Sequence, residues 1–98
     1  MSGTQGRSHV TVRRRVLVSG RVQGVFFRDA CRRAARTEHV TGWVTNRPDG
    51  RVEACFEGDA DAVARVVAWC RQGPPRAHVT EVEVEDEVPR GDSGFVVR

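Results

Sequence analysis

Two glycines and an arginine stand where a strand-like run gives way to a helix-like one, in GRVQGVFFR, Gly20 to Arg28. A loop entering a helix presents main-chain N–H groups that have no intrahelical partner, and the helix dipole adds partial positive charge there. Gly20 and Gly24 let such a loop curl and bring its amides close to a ligand. Arg28, in the first turn of the expected helix, can return a two-pronged guanidinium to the same anion. The chemistry on offer is the holding of a phosphoryl group. Taken alone, the glycines read better as an ordinary strand-to-helix turn, and Arg28 as a solvated helix-face residue. The spacing is neither a Walker A loop nor a dinucleotide fingerprint.

A second candidate is Asn46, placed near the end of a predicted strand, where asparagine is disfavoured. Locally it could simply start the turn that Arg-Pro-Asp-Gly continues. Ser19 has no evident base beside it, so a hydroxyl nucleophile is not expected. Neither segment carries a histidine or paired carboxylates for acid–base work.

The elements that must position these residues follow from periodicity. RRRVLVS, Arg13 to Ser19, reads as a strand closed by Gly20. Phe27, Ala30, Cys31, Ala34 and Ala35 form one apolar helical stripe ending near Glu38 or His39, with Arg32, Arg33 and Arg36 on the solvated face. Two strands follow, about residues 40–47 and 51–57, joined by Pro-Asp-Gly, a turn in which proline sets φ and glycine takes the left-handed conformation. In the second, Val52, Ala54 and Phe56 alternate with Arg51, Glu53 and Glu57, one buried face against an open one. Asp59 is placed to cap a second helix with the stripe Val63, Val66, Val67 and Cys70, stopped by Gly73 and Pro74-Pro75. Thr80, Val82 and Val84 then interleave with Glu81, Glu83 and Glu85 as a half-buried strand, and FVVR closes the chain as a short strand.

The order β-α-β-β-α-β plus a terminal strand implies an α+β ferredoxin-like sandwich, an antiparallel sheet with two helices on one face. In that arrangement the first strand pairs with the one opening at Arg51, which brings Asn46 near the first loop. Trp43 and Phe56 are read as packing residues. Residues 1–10 are read as a flexible tail and 11–98 as a single domain.

The two segments GRVQGVFFR (Gly20–Arg28) and GWVTNRPDG (Gly42–Gly50) closely resemble the acylphosphatase family, with its V-Q-G-V-x-F-R and its G-x-V-x-N followed by a D-G turn. The resemblance runs from about Arg13 to the C-terminus. It implies hydrolysis of carboxyl phosphates without metal or organic cofactor, on a small-molecule acyl phosphate, with inorganic phosphate as product and inhibitor. It also implies that Arg28 binds the phosphate and Asn46 positions the attacking water. The phosphate-binding loop is then Gly20, Arg21, Val22, Gln23, Gly24, Val25, Phe26 and Phe27. Such a sparse site fits the task. The leaving carboxylate has a conjugate-acid pKa of only about 4, so it departs unprotonated, and phosphoryl transfer needs mainly positioning and charge stabilisation.

Composition bounds the rest. All sixteen basic residues are arginine, the net charge is +3, and the three cysteines, Cys31, Cys55 and Cys70, lie far apart. An odd count of spaced thiols suits a reducing cytoplasm, although spacing alone leaves a pairing open. His9, His39 and His78 are scattered, so no metal site is expected. No apolar run approaches the about 20 residues of a membrane span. A nucleic-acid binder on this plan would carry stacking aromatics on the open sheet, where this sequence places Arg, Glu and Cys instead. A non-catalytic anion-binding module using the same loop remains the alternative. The expected state is a monomer.

Overall fold

A computed structural model describes residues 10–98, so most of the tail expected over residues 1–10 lies outside the described residues. The chain runs β1 (Thr11–Arg21), α1 (Phe27–Thr37), β2 (Thr41–Asn46), β3 (Val52–Asp59), α2 (Ala60–Gln72), β4 (His78–Glu87) and β5 (Phe95–Val97). The strands form one sheet in the order β4-β1-β3-β2-β5. β1 pairs antiparallel with β3 and β4, and β2 pairs antiparallel with β3. This is the expected ferredoxin-like arrangement, with one correction. β5 pairs parallel with β2, Gly42 opposite Phe95 and Val44 opposite Val97, so the sheet is mixed rather than wholly antiparallel. The reason is topological: the loop after β4 crosses beneath the sheet and returns the chain to its far edge.

Both helices lie on one face. Val16 and Val18 of β1, Val52 and Phe56 of β3, Val44 of β2, Phe27 and Cys31 of α1, and Val63 and Val66 of α2 are fully or almost fully buried there. Each such side chain contributes about 1.5–3 kcal/mol of burial, which makes this the main cohesive layer. The predicted stripes hold, although Ala30 and Ala34 are only half-buried. Asp59 occupies the position before α2 but makes no side-chain capping bond. The chain passes from β3 into α2 without a loop, and the Ala60 N–H instead donates to the Val10 carbonyl at 3.0 Å.

The face opposite the helices is not open throughout. Cys55 and Glu57 are buried, and so is Arg13, only 2% exposed. The segment between β4 and β5 folds over them. The Arg13 guanidinium donates to Glu57 at 3.0 Å, Asp92 at 2.8 Å and Glu87 at 3.2 Å. Glu57 also accepts the main-chain N–H groups of Arg90 at 2.8 Å and Gly91 at 2.7 Å. These bonds, with the main-chain donors first in weight, hold the Glu57 carboxyl below its usual range, and the Arg13 hydrogen bond does the same for Asp92. A carboxyl lowered on folding adds stability above its unfolded pKa and loses it as pH falls through the folded value. Thermal stability should therefore decline below about pH 4.3, the unfolded Glu value. In Glu57→Gln that decline should be shallower, starting from a lower Tm at neutral pH. Equal slopes in the two proteins, followed by circular dichroism melts across acid pH, would show that Glu57 does not carry the acid response.

No helix among the described residues is long and apolar enough to cross a membrane.

Candidate active site

Residues 22–26 join β1 to α1 by alternating what they bury. Val22, Val25 and Phe27 point into the core, whereas Gly24 and Phe26 are exposed. Phe27 is pinned against Trp69 of α2, ring centroids 5.2 Å apart. The backbone alternates as well: Gly24 has φ 74° and Phe26 φ 63°, with no positive φ at Val25 between them. Nothing crowds a Cβ at Gly24, so its φ alone calls for glycine there. Phe26 has no such excuse. A non-glycine residue held left-handed stores on the order of 1–3 kcal/mol of strain, and such residues cluster at ligand sites. Alternating handedness turns successive N–H groups toward one side and makes a concave anion cradle. Among the described residues, the N–H groups of Gln23, Gly24, Val25 and Phe26 donate to no main-chain oxygen. Phe26 is also the residue before α1 and supplies no side-chain cap, so the helix's first N–H groups are open too.

A cavity of about 460 Å³ opens at this point, lined by Val22, Gly24, Phe26, Phe27, Arg28, Asp29, Arg32, Asn46 and Val97. The sheet register brings these together: Asn46 lies opposite Val52, and Val52 opposite Val18 near the end of β1. Gln23 then ties the loop to the hairpin. Its Nε2 donates to the carbonyls of Arg47 at 2.8 Å and Arg51 at 3.0 Å, on either side of the turn that follows Asn46. The turn itself is tight: Gly50 takes φ 91° and donates to the Arg47 carbonyl at 3.1 Å. Asp49 accepts the Arg51 guanidinium and N–H and that of Arg47, which holds its carboxyl well below the usual carboxylate range.

Arg28 points into the cavity with one donor used, Nη1 to the main-chain oxygen of Arg98 at 2.8 Å. A guanidinium carries five N–H donors, so four are left for an anion. Arg98 is fixed in turn, its N–H on the Val44 carbonyl at 2.9 Å and its guanidinium 4.4 Å above the Trp43 ring. Trp43 thus does more than pack, whereas Phe56 is a core residue stacked on Phe95.

The other loop residues lie elsewhere. Gly20 and Arg21 belong to β1, where a bulge falls between Ser19 and Gly20. A Cβ at Gly20 would run into the His78 carbonyl, so this glycine admits β4. Gln23 and Val25 support the loop without lining the cavity. Sequence reasoning missed Asp29, Arg32 and Val97. The i, i+4 spacing of Arg28 and Arg32 was the available signal, and Arg32 sits on the cavity rather than on a wholly solvated face. For Val97, on the last strand of the chain, no such signal existed. Among the described residues no group of three or more His, Cys, Asp or Glu could hold a metal ion.

Arg28, Asn46 and the loop residues Val22, Gly24, Phe26 and Phe27 line one cavity, and comparison with known proteins gives the family in which it occurs. The acylphosphatase family model matches residues 14–97. The chain belongs to the acylphosphatase family. The acylphosphatase of Rubrobacter xylanophilus is 61% identical over 89 residues, 90% of this chain and 81% of that one. That of Gloeobacter violaceus is 56% identical over 86 residues, covering 88% and 92%. Among solved structures, an acylphosphatase from Coxiella burnetii superposes with a TM-score of 0.87 at 41% identity, over 90% of this chain and 93% of that one. As an acylphosphatase the chain is a hydrolase acting on acyl phosphates.

Proposed function

We propose that residues 11–98 form one catalytic domain that cleaves acyl phosphates by direct attack of water on phosphorus. The phosphoryl group sits in the cradle of loop amides between Gly24 and Phe27 and is clamped by Arg28. These donors neutralise charge spread over the phosphoryl oxygens as the bond to the acyl oxygen lengthens. The Asn46 side chain orients the water in line with that bond. The carboxylate leaves without a proton, since its conjugate acid has a pKa of only about 4. The observation that carries this reading is the left-handed pair Gly24 and Phe26, which leaves loop N–H groups unpaired at the mouth of α1, beside Arg28.

No step calls for a metal or organic cofactor. Inorganic phosphate is product and competitive inhibitor, because it satisfies the same donors. We further read the enzyme as a cytoplasmic monomer. Its three cysteines are free and buried, and burial pushes the Cys55 thiol up to about 11, which keeps it inert. The test is hydrolysis of benzoyl phosphate with and without EDTA. Turnover should be unchanged by chelator and competitively inhibited by phosphate. Activity lost to EDTA and restored by a divalent ion would overturn the metal-free mechanism.

A further inference from the structure

The cavity is larger than a phosphoryl group needs. Its volume of about 460 Å³ falls within the about 300–1,000 Å³ of small-molecule sites, whereas a phosphoryl group has only a handful of heavy atoms. What lies beyond Arg28 is therefore available to the acyl part, and its chemistry can be read. Val22, Phe27 and Val97 give an apolar floor, and Phe26, 73% exposed, stands at the rim. Past them the wall carries a second cation, Arg32.

Arg28 and Arg32 are one turn apart on the same face of α1, about 6 Å along the helix axis. Long helical side chains lean toward the N-terminus, so Arg32 leans over the turn that carries Arg28. Its Nη2 donates to the Asp29 carboxylate at 2.8 Å. Among the described residues that is its one hydrogen bond, so most of its five donors are open. The other Asp29 oxygen faces Arg33 at 3.6 Å. One carboxylate is thus shared by two guanidiniums, so it tethers Arg32 without cancelling the local positive charge.

We propose that Arg28 and Arg32, set one turn apart on a single cavity, receive the two ends of a doubly anionic substrate. Arg28 holds the phosphoryl group, and Arg32 holds a carboxylate at the far end of a short acyl chain. The substrate class is then the monoacyl phosphates of small dicarboxylic acids, about four carbons long. This inference rests on the acyl-phosphate reading above and narrows it.

The test compares succinyl phosphate with butyryl phosphate, which matches its chain length and ends in a methyl group. The wild-type kcat/KM should favour succinyl phosphate by about tenfold, the scale of one charge-assisted hydrogen bond at a half-exposed site. That preference should shrink as salt is added. Arg32→Gln should bring the ratio close to one, mainly by raising KM for succinyl phosphate. Equal wild-type kcat/KM values, or a ratio unchanged in Arg32→Gln, would overturn the dicarboxylate assignment while leaving acyl-phosphate hydrolysis intact. Failure to turn over either compound would overturn both readings.

Discussion

Arg28→Lys should give a folded protein whose kcat/KM on benzoyl phosphate is about 10²–10³ lower than wild type, the range seen when one transition-state donor is removed. Lysine keeps the charge but is a point donor, without the planar fork that meets two phosphoryl oxygens at once. It also cannot hold the main-chain oxygen of Arg98 at 2.8 Å and a bidentate anion together. Phosphate inhibition should weaken in parallel, because the clamp acts on product as well as on substrate. The fold should survive, since Arg28 is only half-buried and its bond to Arg98 is exposed. Unchanged phosphate inhibition in the variant would show that the clamp lies elsewhere.

Asn46→Ala should separate binding from chemistry. If the amide orients water, its interaction matters chiefly as the water attacks, so kcat should fall by about 10² or more. Affinity for phosphate should change little, because the loop amides and Arg28 remain. The competing account gives Asn46 a role only in the hairpin. That role predicts a lower Tm and activity recovered on cooling. The hairpin, however, is fastened independently of the Asn46 side chain. Gln23 bonds the carbonyls of Arg47 and Arg51, and Asp49 bonds Arg51. A normal Tm with a collapsed kcat is therefore expected. A folded variant with near-normal kcat would remove Asn46 from the mechanism.

The parts of the fold legible in sequence are those set by local periodicity. The α1 and α2 stripes and the Pro-Asp-Gly turn follow from short-range pattern, and the pairing of β1 with β3 follows from the element order those patterns give. So does the meeting of the first loop with Asn46, once the strand order is inferred. What was hidden depends on segments without periodicity. Arg13 alternates onto the outer face of β1, where an arginine reads as solvated. It is buried because the non-periodic chain between β4 and β5 folds over it and meets Glu57 with two main-chain N–H groups. The same crossing makes β5 parallel to β2, and so delivers Val97 to the cavity and Arg98 to Arg28. Strand alternation encodes a face but not what comes to cover it. Asp59 illustrates a different limit: the residue type suits a cap, but a helix that follows a strand without a loop takes its partner from Val10 instead.

The central claim is that water attacks phosphorus while the acyl group departs as carboxylate. The most direct measurement is to hydrolyse benzoyl phosphate enzymatically in water enriched in heavy oxygen, and to locate the label by mass spectrometry. Attack on phosphorus puts the label into inorganic phosphate and leaves benzoate unlabelled. Label in the benzoate would mean attack at the carbonyl carbon, and would contradict the roles given to Arg28, Asn46 and the loop together.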